Sequence, residues 1–442
     1  MKHLSVVAAL FIVWFGIDQS LVVTSLAKGT DDMSFAGNGI DVDSEGRIRP
    51  LSQEELNTLG KMMEDVLEPI PPEKNQKATL RKISLKKLDA FVKTVVDKQE
   101  YLPDAVRYLG GLTNIDYIAA VPEEHDLLLI GPAEGWHADH AGNIVGNHSG
   151  MPIVMFEDFL TALREWNRPI PPKTIACSFE PAQEILTKLA GVQRQYTNIN
   201  DKNAAAYAAA LEEAYGDCPI KITGVPASSR FAKVLVGADF KMKRIALGLE
   251  PSKTRNIPSY VSGISVNRPN ISPRFLLTPE YATTTHDSKK LTWRLGNPKV
   301  RASSQTTASG GVDRAALTWC RRLEENYDAL AKAQPVFGEL RNNMTLAYAA
   351  ALIHQEKLLQ KAGCELTILL DETNLKLVEQ PAPKSVAYQS IKTQNGSSTI
   401  VACGSIEINP STALQNNLRL DHKIDSERAR LIETTGDEWW SP

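Results

Sequence analysis

The chain has 442 residues, more than one ordinary domain, and two or three units are expected at about 150 residues each. Hydrophobic residues make up 43% and charged residues 23%, which excludes a disordered polymer. The 49 bases and 52 acids leave a formal charge of −3, which argues against a general nucleic-acid binder, and no nucleic-acid partner is expected.

Lys2 and His3 precede an apolar run from Leu4 to Ile17, and Ser25 and Ala27 stand three residues and one residue before a cleavage point at Lys28. A positive start, an apolar stretch and small residues at those positions form a secretory signal peptide over residues 1–27. The run falls short of the roughly 20 apolar residues of a membrane span, and an uncleaved anchor is the alternative reading. No later segment approaches spanning length, so the expected product is exported, to the periplasm, the cell surface or the medium. Cys177, Cys218, Cys320, Cys364 and Cys403 are far apart and form no Cys-x-x-Cys pair. At least three of them are expected as small buried hydrophobes, the usual place of a free cysteine.

Residues 28 to 79 are turn-rich and polar. Lys28 to Glu73 holds eleven acids and four bases, and Lys74 to Lys98 holds eight bases and two acids. Two solvated faces are the favoured reading; mutual pairing, or contact with an acidic envelope polymer, is the sharper one. Asp43-Ser44-Glu45-Gly46 and Asp139-His140-Ala141-Gly142 both have the aspartate and glycine of a tight hairpin turn, between Ile40–Val42 and Arg47–Ile48 and between Trp136–Ala138 and Asn143–Val145. Ser84 caps a helix whose apolar residues Leu85, Leu88, Phe91, Val92, Val95 and Val96 share one face. Ile115–Val121 and Asp126–Ile130 read as strands around a turn, and Ile153–Phe156 as a strand leading into a helix near Asp158–Trp166.

Further along, Thr174–Phe179 reads as a strand, Glu180 to Tyr196 and Asn203 to Tyr215 as helices, and Ile220–Val225 and Ala232–Ile245 as strands. Strands near Arg274–Leu277 and Leu291–Leu295 follow a proline-rich connection. Asp313–Ala333 and Val336–Lys361 form a helical pair, and the tail offers strands at Glu365–Asp371 and Thr399–Ile408. Trp439 and Trp440 have no clear place. The order implies an α+β fold with mixed, mainly antiparallel strands, flanking helices and a helical pair in the C-terminal third. The expected divisions are the leader at 1–27, a hairpin and helix region at 28–100, an α+β core at 101–300, the helical pair at 312–362, and strands and tail at 363–442.

The motifs Tyr108-Leu109-Gly110-Gly111-Leu112-Thr113, Gly131-Pro132-Ala133-Glu134-Gly135-Trp136, Ser149-Gly150-Met151-Pro152, Gly237-Ala238-Asp239-Phe240-Lys241-Met242-Lys243 and Leu247-Gly248-Leu249-Glu250-Pro251 carry a resemblance. The helical continuation at Phe337-Gly338-Glu339-Leu340-Arg341 extends it, and it covers roughly residues 80 to 360. The chain resembles an exported-protein family of planctomycete bacteria known as domain of unknown function 1598. The resemblance implies bacterial export and a shared fold; it carries no established activity, so no catalytic residue comes with it.

His125, His137, His140 and His148 are half of the eight histidines, with Glu134 and Asp139 among them. Imidazoles and carboxylates bind zinc, but no ligand spacing such as His-Glu-x-x-His occurs, so no metal site and no cofactor are expected. The loop around Glu134 and Trp136 is the better candidate: glycine and proline set its backbone, Glu134 supplies a charge and Trp136 an apolar anchor. The plainer reading is a tight crossing with Trp136 filling core. Asp239, Lys241 and Lys243 alternate with Phe240 and Met242, as on a half-buried strand, where cross-strand pairing outweighs a catalytic lysine–aspartate pair. Neither Gly-x-Ser-x-Gly nor a phosphate loop is present. Non-catalytic binding or scaffolding at the cell envelope, with an envelope protein or polymer as partner, is therefore the favoured function. A hydrolase working near Glu134, His137 and Asp139 is the alternative, and Trp136, Asp239 and Lys241 are the candidate binding residues.

Overall fold

Two β-sheets organise the chain, and residues from its C-terminal tail enter both. The computed structural model describes residues 39–179, 181–197, 202–264, 273–306, 313–387, 390–392, 399–401, 403–433 and 438–441. The leader expected at 1–27 lies outside the described residues. Among the described residues no helix is long and apolar enough to cross a membrane.

The larger sheet has the order Leu418–Leu420, Thr284–His286, Thr292–Arg294, Tyr117–Val121, Asp126–Ala133, Ala78–Ser84 and Trp440–Ser441. Its neighbours are antiparallel except Thr284–His286 with Leu418–Leu420. Tyr117–Val121 and Asp126–Ala133 form the expected hairpin. Their alternation serves two cores. Ala119, Val121, Leu128 and Ile130 pack with Leu431 of the helix His422–Ile432, while Ile118, Ala120, Leu127 and Leu129 face the main core. A sheet covered on both faces reads as a continuous apolar run, as Leu127–Ile130 does.

The smaller sheet has the order Lys221–Thr223, Ile175–Ser178, Cys403–Ile408, Pro273–Glu280 and Lys299–Thr306. Only Cys403–Ile408 beside Pro273–Glu280 is parallel. The architecture is thus α+β with mainly antiparallel strands. The two Asp-to-Gly hairpins form as expected, with Gly46 and Gly142 at φ +82° and +79°, a conformation glycine adopts without strain.

The helix Pro335–Gln355 runs through the main core, buried on almost every side from Val336 to Ile353. It packs on Phe156–Trp166 and Arg230–Leu247. Phe156, Phe231, Phe240 and Phe337 are fully enclosed there. Each contributes about 1.5–3 kcal/mol of apolar burial.

The expected strand at Ala232–Ile245 is instead the helix Arg230–Leu247, capped by the Ser229 hydroxyl, which accepts from the Ala232 amide at 3.1 Å, and ended by left-handed Gly248. The chain from Phe231 to Phe240 is buried throughout, so no polar stripe marks the helical period. Ile153–Val154 is buried but joins no sheet beyond a bridge from Pro152 to Val145. Glu365–Asp371, expected as a strand, is a turn fastened by Asp89. That carboxylate accepts from the amides of Thr367, Ile368 and Leu369 at 2.8–3.0 Å and from the Thr367 hydroxyl at 2.9 Å. In the polar N-terminal region a further helix spans Gln53–Val66, started by a reciprocal Ser52–Glu55 capping box. The basic stretch does not pair with the acidic one through Lys74 or Lys93, which bind Glu438 and Asp97.

Candidate functional site

Glu134 directly follows the strand Asp126–Ala133 and turns inward, where it is almost completely buried. Its carboxylate accepts from the His148 amide at 2.7 Å, from the Ser149 amide at 3.1 Å and from the Ser149 hydroxyl. A carboxylate enclosed by three donors holds a loop in shape. Gly146 makes room for it, because a Cβ there would sit 2.0 Å from the Glu134 Oε1. His137 is exposed, with Nδ1 2.7 Å from the Asn147 amide oxygen. Asp139 braces its own turn, accepting from the amides of Ala141 at 2.8 Å and Asn143 at 2.9 Å. Each of the three candidate side chains has its own partner, and among the described residues no hydrogen bond joins any two of them. No group of three or more histidine, cysteine, aspartate or glutamate side chains among the described residues is placed to hold a metal ion.

Asp239, Lys241 and Lys243 lie on a helix, which overturns the cross-strand reading. Asp239 and Lys243 are one turn apart and pair at 2.8 Å in the core, where Lys243 also donates to the Gly404 carbonyl at 3.2 Å and lies over the Phe179 ring. Lys241 points elsewhere and pairs with Glu250 at 2.9 Å. Helical geometry separates Lys241 from Asp239, so the two do not make one binding site.

All five cysteines are buried. Burial pushes the Cys320 and Cys364 thiols up to about 12, which leaves them poor nucleophiles.

Two arrangements stand out that the sequence did not point to. One is an open cleft of about 500 Å³ walled by Ile70, Phe91, Trp136, Trp439 and Trp440. Trp440 reaches it because it pairs with Ile83 at the outer side of the larger sheet, and the Trp439 carbonyl accepts from the Ser84 amide at 2.8 Å. The Trp439 and Trp440 rings stack with centroids 5.2 Å apart, and Phe91 lies 6.3 Å from Trp439. Lys74 sits 4.1 Å above the Trp440 ring and pairs with Glu438 at 2.7 Å. Glu68 and Asp104 fasten the facing wall, each carboxylate accepting from the other's amide at 2.9–3.0 Å. Trp136 packs edge-on to Tyr108 at 5.5 Å, and its indole N–H has no hydrogen-bond partner among the described residues.

The other arrangement is a buried ionic cluster where the N-terminal ends of three helices meet. Arg230 donates to Asp158 and, at 2.6 Å, to Glu339. Glu157 lies beside them and accepts from Gln380 at 3.0 Å. Burial pushes the Asp158 carboxyl up to about 7 in spite of Arg230, and raises Glu157 and Glu339 as well. Burial opposes the Arg230 charge, but Asp158, Glu339 and Glu157 outweigh it and hold Arg230 charged. Burial, with Arg230 adding to it, lowers Lys233 to about 7. Clusters like this occur at catalytic centres and in structural networks alike. No cleft described above opens onto it, so its visible work is to fix three helices to one another.

Trp136, a candidate binding residue, and the Trp-Trp pair were the local hints of the cleft. The pair's partners Phe91 and Lys74 read as ordinary helix-face and basic-stretch residues. Asp158, Arg230 and Glu339 are separated by long stretches of chain and carry no common motif.

The model of a family described as Protein of unknown function (DUF1598) matches residues 177–260, which run from the strand Ile175–Ser178 through the helix Arg230–Leu247. No curated protein and no solved structure matches the chain.

Proposed function

We propose, for a chain whose residues 177–260 carry this family's domain, a non-catalytic binding or scaffolding role for an exported protein of the planctomycete cell envelope. Its partner is an extended segment of another envelope protein, held in the aromatic cleft. The observation that carries this reading is the stacked Trp439–Trp440 pair beside the outermost strand of the larger sheet, Trp440–Ser441, facing Phe91 and Ile70. A peptide that adds to a sheet edge gains backbone hydrogen bonds and places alternate side chains into apolar pockets. The rim carries both signs, Lys74 and Glu438 among them, so it favours a mixed chain over a uniformly charged polymer. Export rests on the pattern of residues 1–27.

The test is selection of a random dodecapeptide phage library on the full chain, followed by titration of the enriched peptides. Phe91→Ser and Ile70→Ser, both at partly exposed positions, are expected to weaken binding at least tenfold with the fold intact. Peptides that bind both variants as well as the parent overturn the cleft. Turnover of an ester, glycoside, phosphate or peptide substrate that Glu134→Ala with His137→Ala abolishes, at unchanged far-UV circular dichroism, overturns the role in favour of a hydrolase.

A further inference from the structure

A second recess of about 410 Å³ lies far along the same sheet from the tryptophans. Its floor follows from strand register. Thr285 is paired with Arg294, and Arg294 with Tyr117, so the three side chains stand in a row on one face. Asp116, Thr283, Asn297 and Asp421 close the sides. The Arg294 guanidinium lies 5.8 Å from the centre of the Tyr117 ring, which braces its planar fork. Among the described residues, the side chains of Arg294, Thr283, Thr285 and Asn297 make no hydrogen bond to the protein. Asp116 accepts from the Asn114 amide group at 2.6 Å, and Asp421 from the Lys423 amide at 3.1 Å, which leaves lone pairs on both carboxylates.

This mixture selects a ligand chemistry. Arg294 only donates hydrogen bonds, and an ionised carboxylate only accepts them. An anion would meet Asp116 and Asp421, and a cation would meet Arg294 at the centre of the row. A hydroxyl group accepts from the guanidinium and donates to a carboxylate, and threonine and asparagine serve it in either sense. Several hydroxyls on one compact ring satisfy several such groups at once. The volume lies within the range of small-molecule sites, about 300–1,000 Å³. We infer that the recess around Arg294, Thr285 and Asp421 binds a neutral polyhydroxylated ligand, a single sugar ring or the end of a glycan. This inference does not depend on the aromatic cleft.

The experiment is saturation-transfer difference NMR on the full chain with D-glucose, D-galactose and D-mannose, with citrate as the anionic probe and choline as the cationic one. At least one hexose is expected to receive saturation. Arg294→Met and Thr285→Val are each expected to lower its affinity about tenfold, the weight of one good hydrogen bond. Thr285→Val is expected to keep the thermal midpoint of the parent, because its side chain makes no hydrogen bond to the protein among the described residues. Arg294→Met is expected to lower it only slightly, through loss of the Tyr117 ring contact. The inference is overturned if no hexose responds, if citrate or choline alone responds, or if a hexose response survives both substitutions.

Discussion

Replacing Arg230 with methionine removes the one cation that, among the described residues, pairs with both Asp158 and Glu339. The side chains of these two carboxylates are only 3% and 6% exposed, so water cannot take its place. Methionine fills much of the volume, which keeps the loss from being a packing effect. Breaking a buried ion pair by removing one partner costs about 3–5 kcal/mol. The cost depends on pH in a defined direction. Burial already raises Asp158 to about 7, above the roughly 3.9 of an unfolded aspartate, and loss of Arg230 raises it further. Between these values the folded chain holds more protons than the unfolded one, so stability falls as pH rises through the window. Urea unfolding of parent and Arg230→Met, followed by circular dichroism at pH 5 and pH 8, is expected to show the full loss at pH 8. At pH 5, where Asp158 is neutral in both proteins, the loss is smaller by about 1 kcal/mol, since only the stretch from pH 7 to pH 8 separates the two and each pKa unit is worth about 1.4 kcal/mol. A loss below about 1 kcal/mol at pH 8, or an equal loss at both pH values, would refute the reasoning.

Lys233 titrates in the opposite sense. Burial lowers it to about 7, below the roughly 10.4 of an unfolded lysine, so its contribution makes stability rise between pH 7 and pH 10, and Lys233→Met is expected to flatten that slope in the same unfolding assay. Glu134→Ala leaves two amides and the Ser149 hydroxyl without their acceptor and should destabilise by about 2–3 kcal/mol; a thermal midpoint equal to the parent's would contradict the loop-holding role. Asp89→Ala removes the acceptor for four donors of the turn at 367–369 and should cost about 3 kcal/mol, with faster amide exchange at Thr367, Ile368 and Leu369; unchanged exchange there would count against the clamp.

How far the sequence can be read depends on the range over which each signal acts. The hairpins at Asp43–Gly46 and Asp139–Gly142 were legible because aspartate and glycine fix a turn within four residues. The helix Leu85–Asp97 was legible from its Ser84 cap and one-sided apolar face. The helix Gln53–Val66 carried its capping box in plain view at Ser52 and Glu55, but the polar composition around it masked the signal. Arg230–Leu247 was misread because a helix enclosed on nearly all sides loses its polar stripe. The five residues from Asp239 to Lys243 then imitate a strand's alternation. At the sites, Glu134 was singled out as a candidate for chemistry or binding, and its carboxylate holds the loop at His148 and Ser149. Trp440 beside Ile83, and Arg230 between Asp158 and Glu339, are products of the tertiary fold that no local pattern contains.

The larger sheet begins with residues near position 80 and is bounded on both sides by strands after position 417. Such closure has a cost in time. Until Leu418–Leu420 and Trp440–Ser441 have been made and have docked, Thr284–His286 and Ala78–Ser84 are raw edges with unpaired backbone groups. Cys403–Ile408 likewise cannot complete the middle of the smaller sheet before it leaves the ribosome. Contacts of such long sequence separation form slowly. A chain clipped before Leu418 therefore presents two strand edges, and a gap in the other sheet if the cut falls before Cys403. Its expected fate is pairing with its own kind, and aggregation of a C-terminal truncation is the mark this topology leaves on the protein's life in the cell.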